Sequence, residues 1–186
     1  GAKRSCDTSG LGYAEVGPEL IADIEKSGLL DVVLVGHSRA GSTLPLLAKL
    51  RPDMFHRLVY VTCQACPPGR TSADLMGNCR HGESETEVGW PVDPASASIE
   101  ERLRAMFTND KDAAEADAFM AKLGKDDGPA LTHAHSEWDY DHLATVASTY
   151  VLCDKDMSLP PVWQHRCAER FHCERVVHID AGHQVM

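Results

Sequence analysis

The chain lacks an excess of positive charge and a long apolar run, and its first residues do not read as an export signal. Its 186 residues carry 18 Lys and Arg against 28 Asp and Glu, a formal net charge of −10. A surface of that sign argues against general affinity for nucleic acid or anionic lipid, and no basic stripe interleaved with aromatics occurs. No apolar run approaches the roughly 20 residues that a membrane helix needs. The N-terminal Gly1-Ala2-Lys3-Arg4-Ser5-Cys6 has no apolar segment behind it and does not read as a secretory signal; it also lacks an initiator Met. Seven cysteines, an odd count without an export signal, predict free thiols in a reducing compartment and a cytoplasmic location. Cys63-x-x-Cys66 has no second pair at ribbon spacing, and His133-x-His135 stands alone in a polar segment. Neither is read as a metal or redox site, and no metal or organic cofactor is expected.

What is present is an ordinary globular composition, 43% hydrophobic and 25% charged, in a chain long enough for one sizeable core. Its most informative stretch is Asp31-Val32-Val33-Leu34-Val35-Gly36-His37-Ser38-Arg39-Ala40-Gly41. A branched apolar run ends in a tight turn carrying a serine, and a leucine-rich helical pattern follows to residue 50. Strand, sharp turn and helix in that order are the setting of a nucleophile elbow. Only small residues fit at Gly36 and Ala40, where a larger side chain would meet the crossing backbone.

Apolar spacing predicts a helix over 17–27, ended by Gly28. Residues 31–35, almost continuous Val and Leu, read as a parallel strand buried on both faces. A helix over 38–50 stops before Arg51-Pro52, and 57–62 reads as a second buried strand. Residues 70–145 then show no convincing strand, two helices (98–107 and 113–123) and many turn residues. Strands return at 148–153 and 175–179, with a helix from 161 to 171 between them. Strand–helix–strand order implies a mostly parallel sheet flanked by helices, the α/β class. The 70–145 block is expected to pass over one sheet end as a helical lid or cap, with 1–69 and 146–186 forming the core.

A nucleophilic serine needs a base to accept its proton and an acid to orient that base. Both belong at the C-terminal ends of later parallel strands. The strand at 148–153 runs into Asp154-Lys155-Asp156-Met157-Ser158-Leu159-Pro160, and the strand at 175–179 into Asp180-Ala181-Gly182-His183. The order is Ser, Asp, His, with Asp154 and Asp156 both available as the acid.

On these pieces, together with Leu58-Val59-Tyr60-Val61 and Tyr150-Val151-Leu152-Cys153, the chain resembles α/β-hydrolases of the small esterase-like branch. That branch includes plant methyl esterases and hydroxynitrile lyases, and the resemblance covers almost the whole chain. It implies Ser38 as nucleophile, His183 as general base, Asp156 as acid by the Asp-x-x-Leu-Pro pattern, and the Arg39 N–H in the oxyanion hole. Met106, Phe107 and Trp138 are candidates for an apolar substrate pocket, with core packing the alternative for each. The implied reaction is hydrolysis of a small-molecule carboxylic ester through an acyl-enzyme. Lyase chemistry with the same three residues, or non-catalytic ligand binding on the same fold, stays open. The partner expected is a small-molecule ester, and the oligomeric state is not read.

The family's pattern also includes N-terminal strands and a His-Gly loop that supplies a second oxyanion donor. Nothing between Gly1 and the first helix matches that loop, and the chain stops three residues after His183. The expectation is a partial α/β-hydrolase core, incomplete at both ends, with weak activity on its own.

Overall fold

A computed structural model describes residues 7–124 and 128–185; the N-terminal segment 1–6, with Cys6, lies outside the described residues. Four strands form one parallel sheet in the order β1 (Val32–His37), β2 (Phe55–Val61), β3 (Ser148–Cys153) and β4 (Arg175–Ile179). The register pairs Val35 with Val59, Tyr60 with Tyr150 and Val151 with Val177. Because every strand runs the same way, the loops after all four open at one end of the sheet. Ser38, Thr62, residues 154–158 and residues 180–183 are gathered there.

The core lies on the sheet face that carries Leu58, Tyr60, Tyr150 and Leu152, all fully buried. Tyr60 stacks on Phe171 at 4.1 Å between ring centroids and 5° between planes. A fully buried Phe ring such as that of Phe171 contributes about 1.5–3 kcal/mol of transfer free energy. Tyr150 belongs to the same core, and its buried hydroxyl finds a partner in the Cys63 carbonyl at 2.8 Å.

α1 (Tyr13–Lys26) begins four residues earlier than its apolar spacing suggests, because the Glu15 carboxylate caps the Gly12 N–H at 2.8 Å. The single helix expected over 38–50 is two pieces, a 3-10 turn at Ser38–Ser42 and α2 (Leu44–Leu50). Pro45 has no N–H to continue an i→i−4 ladder back to Gly41, so a new helix starts around it.

β1 is not buried on both faces. Val32 and Leu34 pack on the core, but Val33 and Val35 on the opposite face are 51% and 56% exposed. β1 is also the edge of the sheet, with no strand on its outer side among the described residues. Its continuous Val/Leu run therefore misreports its environment.

Between β2 and β3 the described residues contain three short α-helices, two 3-10 turns (Ala130–His133 and Asp141–Thr145) and one isolated bridge, Arg80 to Trp90, but no extended strand. α3 (Ser72–Met76), α4 (Ile99–Phe107) and α5 (Ala113–Met120) each start on a capping box, at Thr71, Ser98 and Asp112. α3 is too short to show a helical period. α6 (Pro161–Arg170) returns the chain from β3 to β4 and buries Trp163, Gln164, Cys167 and Ala168. Among the described residues no helix is long and apolar enough to cross a membrane.

Candidate active site

The turn after β1 is as tight as its small residues suggest. Ser38 sits at φ 55°, a left-handed conformation that ordinary side chains avoid. A Cβ added to Gly36 would lie 2.5 Å from Leu44 Cδ1 and 2.7 Å from the Ala40 Cβ. Gly41 is still more confined, since a Cβ there would lie 2.2 Å from the Gln64 carbonyl oxygen. The Gln64 N–H donates to the Ser38 carbonyl at 3.2 Å, tying the turn to the loop after β2. Packing from three sides thus holds the strained serine in place.

The structure brings Ser38, His183 and Asp156 into one hydrogen-bonded chain. Ser38 Oγ lies 2.8 Å from His183 Nε2, and His183 Nδ1 lies 2.7 Å from Asp156 Oδ2. An ionised carboxylate can only accept, so Nδ1 carries the proton and Nε2 is left to accept from the serine hydroxyl. His183 and Asp156 are 2% and 1% exposed. The buried carboxylate is fully served: Oδ1 accepts the N–H groups of Ser158 (2.7 Å) and Leu159 (2.8 Å), and Oδ2 also accepts the Thr62 hydroxyl.

Asp154, the other acid, points elsewhere. Its Oδ1 pairs with His178 Nδ1 at 2.8 Å on the surface, where both side chains are about half exposed. His37 packs beside the elbow and donates its Nε2–H to the His183 carbonyl at 2.7 Å. Burial holds the His37 pKa below its ordinary value, so the ring is neutral and keeps a single donor for that contact. The Arg39 side chain turns away from the serine and donates to His133 Nε2 at 3.0 Å and to Thr132 Oγ1 at 3.4 Å.

The three pocket candidates separate. Phe107 comes closest, its ring centroid 5.4 Å from that of His183. Met106 is buried and does not line the cavity at the serine. Trp138 belongs to the core, donates its Nε1–H to the Arg70 carbonyl at 2.7 Å and faces a different cavity beside Tyr13. The sequence offers each as an apolar residue near the site, but only position in the fold separates packing from lining. The cavity at Ser38 and His183, about 40 Å³, is walled instead by Gln64, Ser72, Leu75, Met76, Val88 and Leu159. Of these only Leu159 falls inside a motif that the sequence singles out. Thr62 falls in no motif either, although a polar β-branched residue at the end of a buried apolar run is a usable signal.

The arrangement can deprotonate an alcohol as it attacks an electrophilic carbon and return that proton to a leaving group. Among known proteins, an alpha/beta hydrolase of Aspergillus novofumigatus, nvfD, is 29% identical over 153 residues, covering 75% of this chain and 57% of its own length. The chain therefore spans less than two thirds of that relative. An extracellular alpha/beta-hydrolase from Paenibacillus superposes with a TM-score of 0.72 at 19% identity, over 96% of this chain and 74% of that one. The Arabidopsis methylesterase MES16 does so with a TM-score of 0.66 at 17% identity, over 97% and 74%. At those identities the superpositions speak for the fold, and a profile of the Alpha/beta hydrolase family matches residues 4–186. The chain belongs to the alpha/beta hydrolase family.

Proposed function

We propose that the protein is a serine hydrolase acting on a carboxylic ester of a small molecule, with Ser38 as nucleophile, His183 as base and Asp156 as its orienting acid. The observation that carries this reading is the pair of contacts flanking His183, 2.8 Å to Ser38 Oγ and 2.7 Å to Asp156 Oδ2. In the first step Ser38 Oγ bonds to the acyl carbon while its proton passes to His183 Nε2. The oxyanion accepts from the Arg39 N–H, which opens a helical turn and has no i−4 carbonyl of its own. Collapse breaks the bond to the alcohol oxygen, which takes the proton from His183. Water, deprotonated by the same nitrogen, then attacks the acyl carbon; the bond to Ser38 Oγ breaks, that oxygen takes the proton back from His183, and the acid leaves.

A cavity of about 40 Å³ favours a short acyl group. p-Nitrophenyl acetate should be turned over faster than p-nitrophenyl octanoate. A fluorophosphonate probe should label Ser38, and Ser38→Ala should abolish both labelling and about 10⁶-fold of turnover. Unchanged hydrolysis in Ser38→Ala would refute the assignment, and release of cyanide from a cyanohydrin without ester cleavage would replace it with a lyase.

A further inference from the structure

We propose that Asn109 and Asp110, in the turn joining α4 to α5, are positioning residues for the Ser38 site: they clamp the loop that carries Asp156 and the loop that carries His183. This rests on the hydrolase reading above. The end of α4 and the turn after it make three contacts in a row. The Phe107 ring lies 5.4 Å from the His183 ring between centroids. Asn109 Nδ2 donates to the Lys155 carbonyl at 2.8 Å, one residue before Asp156. The Gly182 N–H donates to Asp110 Oδ2 at 2.7 Å, one residue before His183.

The Asp110 side chain is only 16% exposed, and Lys111 Nζ lies 3.4 Å from its second oxygen. Burial pushes its pKa up, but the Gly182 N–H and Lys111 outweigh that and hold it below the ordinary carboxylate value. The group is a fixed anion at neutral pH and a strong acceptor. Gly182 is shaped to receive it, since a Cβ there would lie 2.6 Å from the Asp110 carboxylate. The absent side chain leaves the peptide before His183 with more rotational freedom than any other residue would. A rotation there swings the imidazole away from Ser38. The carboxylate removes that freedom on the N-terminal side of His183, as the His37 donation to the His183 carbonyl does on the C-terminal side. The two clamped loops are also tied to each other, through Asp154 N–H to the Ile179 carbonyl (2.9 Å) and Lys155 N–H to the Ala181 carbonyl (3.0 Å). One turn of the helical excursion therefore sets acid and base as a single unit.

The test uses Asp110→Ala, Asp110→Asn and Asn109→Ala in the whole chain. Asp110→Ala should slow fluorophosphonate labelling of Ser38 and kcat on p-nitrophenyl acetate by about 10- to 100-fold, because a misplaced base loses its approach geometry. KM should stay within about twofold, since no substrate contact is removed. Asp110→Asn keeps an acceptor oxygen for Gly182 and should recover labelling to within about threefold of the parent. Asn109→Ala, an exposed change compatible with folding, should slow labelling by about three- to tenfold. The downfield proton resonance of His183 Nδ1–H, bonded to Asp156, reads the same alignment without any turnover. It should broaden in Asp110→Ala and persist in Asp110→Asn. A parent that labels, with Asp110→Ala labelling at the same rate and keeping the resonance, overturns this inference and leaves the hydrolase reading standing. A parent that does not label, with the resonance still lost in Asp110→Ala, overturns the hydrolase reading and keeps the clamp. If Asp110→Ala does not fold, unchanged labelling in Asn109→Ala overturns the clamp.

Discussion

Thr62 and His183 share one oxygen of Asp156: the Thr62 hydroxyl donates to the same Oδ2 that accepts His183 Nδ1–H. Thr62, the residue after β2, is fully buried and adopts φ 39°. A positive φ at a β-branched residue costs about 1–3 kcal/mol, so the backbone there is strained to aim the hydroxyl. The gain is a fourth donor for a carboxylate that has no access to water.

Thr62→Val keeps the shape and removes the donor. The variant should lose about 1.5–3 kcal/mol of stability, the worth of a hydrogen bond to a buried charged group. If half of that loss is felt when the imidazole becomes positive, kcat falls about four- to twelvefold. Thr62→Ser, which keeps the hydroxyl, should stay within about threefold in rate. Thermal melts and p-nitrophenyl acetate kinetics on both variants check this, and equal rates in Thr62→Val and the parent would show the contact to be idle.

The two acids after β3 make a clean contrast. Asp156→Asn presents an amide to His183 and should cost about 10⁴-fold in kcat, because the wrong tautomer is then favoured. Asp154→Asn loses only a half-exposed pair with His178, worth about 0–1 kcal/mol, and should leave kcat within about twofold.

The parallel sheet was legible because β3 and β4 are short apolar runs with turn residues at both ends, and their bounds match those read from the sequence. β1 misled because composition reports apolarity and not which face is covered. Val33 and Val35 look as buried as Val32 and Leu34 until the neighbouring strand and helices are placed. At the site, the residues that follow strand ends could be found by position along the chain. The contacts that hold them could not. Asp110 lies 72 residues from Gly182, and no local pattern connects an exposed turn to one peptide N–H.

The buried cysteines among the described residues should behave as inert thiols at neutral pH and as a liability in alkali. Burial pushes the Cys153 and Cys167 thiols up to about 12 and Cys173 to about 11, from an ordinary value near 9. The folded chain therefore keeps these protons above pH 9, where the unfolded chain releases them. With more protons bound in the native state, stability falls as pH rises through that window. The fall is about 1.4 kcal/mol per pH unit for a fully buried thiol such as Cys167. Urea melts at pH 8, 9.5 and 10.5 should show a midpoint that drops steadily, and Cys167→Ala should flatten the drop. Alkylation by iodoacetamide at pH 8 should spare Cys63, Cys153 and Cys167 until urea is added, since all three are buried.

The elbow glycines should differ in tolerance, because their walls differ in stiffness. At Gly36 the nearest atoms to an added Cβ are the Leu44 Cδ1 at 2.5 Å, the end of a side chain, and the Ala40 Cβ at 2.7 Å, which moves only with its backbone. At Gly41 the nearest atom is the Gln64 carbonyl oxygen at 2.2 Å, with the Cys63 Cβ at 2.9 Å and Phe171 at 3.0 Å, so backbone must move. That backbone also carries the Gln64 N–H bond to the Ser38 carbonyl. Gly41→Ala should therefore destabilise by about 3 kcal/mol or more, the upper range for overpacking, and should lower labelling of Ser38 as the turn shifts. Gly36→Ala should cost about 1–2 kcal/mol. Gly128→Ala, where nothing among the described residues lies within 4 Å of the new Cβ, should fall within about 0.5 kcal/mol of the parent. Equal losses at Gly36 and Gly41 would show that the turn yields as a whole, and that neither wall sets the position of the serine.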